Sequence, residues 1–208
     1  MRPIRIISHL ILFLAVAPSF VFAHQDTEPL IELSSLDPTI EIELKYATVD
    51  NFMKKKLYAS VRAILRPQVA ERLVQAHRSL RARGLGIKVL DAYRPLSVQK
   101  EMFRVFPHPG FVADPAKGSN HNRAAAVDVT LVDLDGNELP MPSAYDEFTE
   151  RSHVNYAGGT DEARENRRIL QAAMREQGFH ALETEWWHFD DPEAERYIIL
   201  DVPFEEIR

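Results

Sequence analysis

Residues 67–84 read as a helix. Val69, Leu73, Ala76 and Leu80 recur at helical spacing behind Pro67, and Gly84 supplies a stop. The same period returns over 161–177, where Ile169, Leu170, Ala173 and Met174 form an apolar stripe closed by Gly178. Ser97 stands where it caps a shorter helix running through Phe106. Elsewhere the pattern is strand-like. Residues 39–44 alternate polar and apolar, 87–93 form an apolar run that ends at Arg94-Pro95, and in 127–131 Val127, Val129 and Leu131 share one face with Asp128 on the other. Asp135-Gly136 marks a hairpin, with 137–140 as its return strand. Residues 179–189 read as a strand or strand edge, and the stretch from Pro107-His108-Pro109-Gly110 to Ser119 as a loop.

The first residues follow a different rule. Arg2 and Arg5 precede an apolar run over 6–22, interrupted by Pro18-Ser19, and Val21-Phe22-Ala23 has the small-residue form of a cleavage site. This predicts a signal peptide over 1–23, an uncleaved anchor being the alternative, with one domain over 24–208 and export to a periplasm. Residues 24–36, polar and proline-containing, read as a leader arm on that domain.

Charge and composition narrow the partners. The formal net charge is −6, and removing 1–23 takes away two arginines and no acids, leaving −8. That balance argues against nucleic acid and against an anionic membrane surface. The chain has no cysteine. A metal must therefore be held by nitrogen and oxygen, and stability must come from a core, which 45% hydrophobic residues can build.

The chemistry concentrates in Ser119-Asn120-His121-Asn122-Arg123-Ala124-Ala125-Ala126-Val127-Asp128 and in Glu185-Trp186-Trp187-His188. Two imidazoles, one carboxylate and a spare carboxylate are the inventory of a catalytic zinc site with three protein ligands, a fourth position for water and a general base. Seven residues span about 23 Å on a strand and about 10 Å on a helix, so His121 and Asp128 share an ion only if the chain bends, most simply at Asn122-Arg123. Glu185 and His188 meet on one face only if their segment turns. Taken singly, a buried histidine and a solvated aspartate would read the same.

Together these motifs resemble the Ser-x-His-x-x-Gly-x-Ala-x-Asp and Glu-x-Trp-His signatures of the zinc D,D-peptidases. The branch resembled is that of the VanX-type D-alanyl-D-alanine dipeptidases, which Lys45-Tyr46-Ala47-Thr48, Asp91-Ala92-Tyr93-Arg94-Pro95 and Asp146 with Glu150-Arg151-Ser152-His153 also match. The resemblance covers about residues 35–190. It implies an α+β domain with a central antiparallel sheet flanked by helices. It implies one Zn²⁺ per chain on His121, Asp128 and His188, with Glu185 as general base and Arg94 stabilising the oxyanion. Ser119 would bind the substrate carboxylate, Asp146 its ammonium, and Tyr46 would line the pocket. Without the resemblance, Tyr46 reads equally as a core aromatic, Arg94 as a surface ion pair and Asp146 as a helix N-cap. His77 reads as packed, His108 as solvated, and His153 as a candidate support for the site.

The implied reaction is hydrolysis of D-Ala-D-Ala, linked to peptidoglycan. Two alternatives stand beside it: a carboxypeptidase or endopeptidase acting on larger muropeptides, which the loop before Ser119, shorter than in the vancomycin-resistance branch, favours, and a non-catalytic peptidoglycan-binding module. One departure lies inside the first signature, where Ala124 takes the place of the family glycine.

Overall fold

The computed structural model describes residues 29–108 and 110–207. The expected signal peptide lies outside them. Among the described residues no helix is long and apolar enough to cross a membrane.

The strands are β1 (Ile31–Glu32), β2 (Glu41–Ile42), β3 (Ile64–Leu65), β4 (Leu85–Asp91), β5 (Ala126–Asp133), β6 (His180–Ala181) and β7 (His188–Asp190). Five form one sheet in the order β2-β4-β5-β7-β6, and β1 pairs with β3 in a separate ribbon. The sheet is antiparallel from β4 to β6, as the α+β reading has it. Edge strand β2 departs by running parallel to β4.

Helix α1 (Pro67–Arg81) starts on its proline, whose fixed φ and missing N–H suit the first helical position. It packs on β4 and on α3 (Asp161–Glu176), which in turn touches β5 and β6. Thr160 caps α3 by accepting from the Ala163 N–H at 3.1 Å. Under these helices Val127, Val129 and Leu131 are fully buried. Strand alternation then sends Asp128 to the opposite face, where a cavity opens.

Four expectations need correction. Ser97 does not cap α2 (Leu96–Val105); Pro95 is the N-cap residue, and the Ser97 N–H is met by Asp201 Oδ1 of the C-terminal tail at 2.8 Å. Residues 137–140 form a single bridge, Val132 to Glu138, rather than a strand, since Pro140 and Pro142 cannot donate to a ladder. Residues 179–189 split into β6 and β7 around a turn. The arm is not free from residue 29 onward: β1 pairs with β3, and Leu33 is fully buried.

Candidate active site

Three neighbouring strands set the site's frame. In register, Asp91 at the end of β4 faces Asp128 on β5, and Asp128 faces His188 on β7. Directly opposed residues project to the same side of a sheet, so this end of the sheet gathers carboxylates and an imidazole in one row. His121 arrives from a short 3₁₀ turn, Asn120–Arg123. Ser119 Oγ accepts from the His121 N–H at 3.3 Å, and the Ser119 N–H donates to Asn122 Oδ1 at 2.8 Å. Ala124 then adopts φ 55°, ψ 34°, the left-handed region, and reverses the chain into β5. This is the bend that the seven-residue spacing requires.

The result is a tight triangle. Asp128 Oδ1 lies 3.0 Å from His188 Nδ1 and 3.2 Å from His121 Nε2, and the two nitrogens are 3.1 Å apart. Donors on a tetrahedral zinc with bonds of roughly 2.0–2.1 Å stand about 3.3 Å apart. Two imidazoles and one carboxylate, all buried, therefore fit that ion in chemistry and in spacing.

Each donor is oriented from behind. His121 Nδ1 donates to the Ala92 carbonyl at 2.7 Å, leaving Nε2 as the lone-pair nitrogen. His188 Nε2 is 2.9 Å from Asp190 Oδ1, which also accepts from Asn120 Nδ2 at 2.9 Å. Tyr145 donates its hydroxyl to Asp128 Oδ2 at 2.9 Å. Such partners fix the tautomer and aim of metal-binding side chains. Burial works against ionising Asp128, but the two imidazoles hold its carboxyl well below the usual range.

The cavity, about 290 Å³, is lined by Ser119, Asp146, Glu185, Arg94 and Tyr46 along with the triangle. Glu185 is brought there by a turn closed by its N–H on the Leu182 carbonyl, 3.2 Å, and by Trp186 N–H on the Ser152 carbonyl, 2.8 Å. Burial pushes the Glu185 carboxyl up to about 8. Asp146 accepts from Tyr46 OH at 3.0 Å and from Phe52 N–H at 3.1 Å, yet burial raises it to about 7. It has φ 59° and caps no helix.

Arg94 is buried, not a surface pair. Its Nε and Nη2 both reach Asp91 Oδ2, at 3.1 and 2.6 Å, and Nη1 reaches Gln99 Oε1 at 2.8 Å. Its guanidinium lies over the Tyr46 ring, 5.1 Å from the centroid. Asp91 also accepts from Tyr58 OH at 2.7 Å, and Gln99 Nε2 ties the arrangement to the Ala113 carbonyl at 2.8 Å.

Several residues of the site carry no signal that sequence reasoning used. Asp190 was detectable, since two residues from His188 on a strand means the same face. Tyr145, Gln99 and the aromatic wall of Phe52, Phe111 and Phe148 depend on distant segments meeting in space. His153 stands with that wall, 6.5 Å from the Phe111 ring, rather than with the metal triangle. His77 is packed as expected, accepting from Ile87 N–H at 3.1 Å with Thr39 Oγ1 on its other nitrogen. His108 is exposed and stacks on Phe106. Trp186 and Trp187 are both buried.

Comparison with known proteins points the same way. A peptidase M15 family model described as D-ala-D-ala dipeptidase matches residues 26–207. A D-alanyl-D-alanine dipeptidase of Escherichia coli K12 is 39% identical over 175 residues, covering 84% of this chain and 91% of the relative. One from Enterococcus faecium is 33% identical over 189 residues, covering 77% and 91%. A solved structure, a mutant of the vancomycin-resistance D,D-pentapeptidase VanY with Zn(II), aligns over 75% of this chain and 80% of its own at 16% identity, with a TM-score of 0.40, too low to weigh. On the strength of the family model and these relatives, the chain belongs to the D-alanyl-D-alanine dipeptidase family of M15 peptidases.

Proposed function

We propose that this chain is a zinc-dependent dipeptidase that hydrolyses D-Ala-D-Ala to two D-alanines. The observation that carries the reading is the triangle of His121 Nε2, Asp128 Oδ1 and His188 Nδ1, spaced 3.0–3.2 Å apart in one cavity with Glu185. One Zn²⁺ held by those donors supplies a Lewis acid that acidifies water and polarises a peptide carbonyl.

The chain's own groups do the rest. Glu185, buried in the same cavity, takes a proton from the attacking water on a carboxylate oxygen and returns it to the leaving amine. Arg94, locked by Asp91 and Gln99, offers its remaining N–H groups to the developing oxyanion. Asp146 receives the substrate ammonium, with Tyr46 holding the carboxylate in place. Ser119 donates its hydroxyl to the substrate carboxylate, which can only accept, while its oxygen accepts from the His121 N–H. A pocket with complementary charge at both ends selects a free dipeptide over a longer, N-blocked chain.

The reading extends to location. Signal cleavage after Ala23 would release the domain into the periplasm, where the product joins peptidoglycan metabolism; the basic start, apolar run and small-residue site support this. The deciding experiment is D-alanine release from D-Ala-D-Ala, before and after chelation and after zinc return. Release that stops with chelation and returns with zinc is expected. Turnover of N-acetyl-D-Ala-D-Ala at an equal rate would move the reading to larger muropeptides. Stoichiometric zinc without turnover of either peptide would move it to a binding module.

A further inference from the structure

Asp128 has two carboxylate oxygens in different company. Oδ1 completes the triangle with the imidazoles, while Oδ2 accepts the Tyr145 hydroxyl at 2.9 Å. That hydroxyl is held in place by its ring. Tyr145 packs edge-on against Trp187, centroids 5.2 Å apart at 61°, and against Tyr46 at 6.2 Å and 61°. Trp187 is 1% exposed and Tyr46 3%, so both neighbours are themselves fixed. A phenol hydroxyl has one hydrogen to give, and here it is directed at Asp128 Oδ2.

The next residue turns away. Asp146 takes the left-handed φ of 59°, and its carboxylate goes to Tyr46 OH and Phe52 N–H instead. Two consecutive side chains thus serve two different sites, Tyr145 the metal ligand and Asp146 the substrate end of the cavity.

We propose that Tyr145 is a positioning residue for the metal centre: its hydroxyl occupies Asp128 Oδ2 and so presents Asp128 through Oδ1 alone. A carboxylate held to one oxygen leaves a zinc position free for chemistry, whereas a carboxylate with both oxygens free can close that position. The proposal rests on the metal reading given above.

The test compares zinc affinity and coordination in the full protein with Tyr145→Phe, which keeps the ring and removes only the hydroxyl. Competition with a chromophoric chelator is expected to show zinc binding weakened by roughly 10- to 100-fold. The visible spectrum of the cobalt-substituted protein is expected to change, and kcat to fall with KM nearly constant. Tyr46→Phe is the contrast: it strips a hydrogen bond from Asp146, so it should raise KM and leave zinc affinity and the cobalt spectrum unchanged. Wild-type zinc affinity and an unaltered cobalt spectrum in Tyr145→Phe would overturn the proposal. Failure of the unsubstituted protein to bind zinc would instead overturn the metal reading. Should Tyr145→Phe not fold, fluorotyrosine-labelled protein keeps the question open to measurement: the ¹⁹F resonance of residue 145 must move on zinc addition, and a resonance that stays still counts against the proposal.

Discussion

The two ends of the cavity handle buried charge in opposite ways. At the metal end, the outer nitrogens of His121 and His188 and the second oxygen of Asp128 each have a protein partner, at 2.7 to 2.9 Å. Asp128 is held well below the ordinary carboxylate range by the two imidazoles beside it. At the other end, burial dominates. Asp146 rises to about 7 despite its two hydrogen bonds, and Glu185, which shares the cavity with both ends, to about 8. The first end is solvated in advance by the fold, which is how a ligand set is held ready. The second end keeps an unmet demand for positive charge, which a bound cation or a substrate ammonium would satisfy. Binding energy is thus reserved for the groups that meet the substrate.

The sharpest break of that contrast is Glu185→Gln. The amide keeps the shape but cannot take a proton. On the order of 10²- to 10⁴-fold should be lost from kcat, with zinc still bound at full stoichiometry. Loss of zinc together with activity would make Glu185 a metal ligand rather than a base. Arg94→Met comes next. Removing one donor to an oxyanion costs about 10²- to 10³-fold in kcat. The variant also leaves Asp91, fully buried, without its main cation, so its unfolding temperature should drop as well. A normal kcat in a folded Arg94→Met protein would reduce Arg94 to a structural ion pair.

Asp146→Asn probes the opposite end with a smaller effect. Losing a charge-assisted contact to an ammonium should raise KM for D-Ala-D-Ala roughly 10- to 100-fold and leave kcat less affected. It should also narrow the preference over the N-acetylated peptide. The stability of the metal-free protein gives an independent reading. Asp146 has a folded pKa of about 7, above the ordinary carboxylate value. The folded state therefore holds this proton more tightly than the unfolded chain. Its stabilising contribution is complete below about pH 4 and is lost as pH rises through 7. Thermal unfolding should accordingly show Asp146→Asn gaining on the unsubstituted protein between pH 5 and 8. A pH-independent difference would mean that burial does not set the Asp146 value.

The same contrast explains what could be read from the chain. His121, Asp128, Glu185 and His188 stand in two short motifs, and the need for a bend between the first two follows from length alone. Helices α1 and α3 follow from apolar period and stop residues within their own span. What was hidden depends on distant segments. Ser97 reads as a cap only because nothing local announces Asp201, whose carboxylate meets its N–H. Tyr145 and Gln99 are ordinary residues in loop and helix until folding sets them against Asp128 and Arg94. The arm at 31–32 reads as polar leader because two residues show no alternation, although they pair with β3. Motifs report the atoms that touch the chemistry, and register and loop closure decide which others stand behind them.

The smallest effect sits at the metal end, in the residue that turns the chain behind His121. Ala124 is fully buried and left-handed, at φ 55°, ψ 34°. An L-residue there costs roughly 1–2 kcal/mol that glycine avoids. Ala124→Gly removes that strain, but it also exposes the unfolded chain to more freedom, by about 0.4–1 kcal/mol, and forfeits a buried methyl worth about 0.8 kcal/mol. The terms nearly cancel, so the substitution should change stability by less than about 1 kcal/mol in either direction. Ala126→Gly isolates the strain. Ala126 is equally buried but lies on β5, so it loses the methyl and the chain restriction with nothing returned, and should cost about 1–2 kcal/mol. Denaturant unfolding of the pair measures the difference directly. Equal destabilisation by both substitutions would mean that the turn presenting His121 stores no strain, and that the metal end is held ready at no conformational cost.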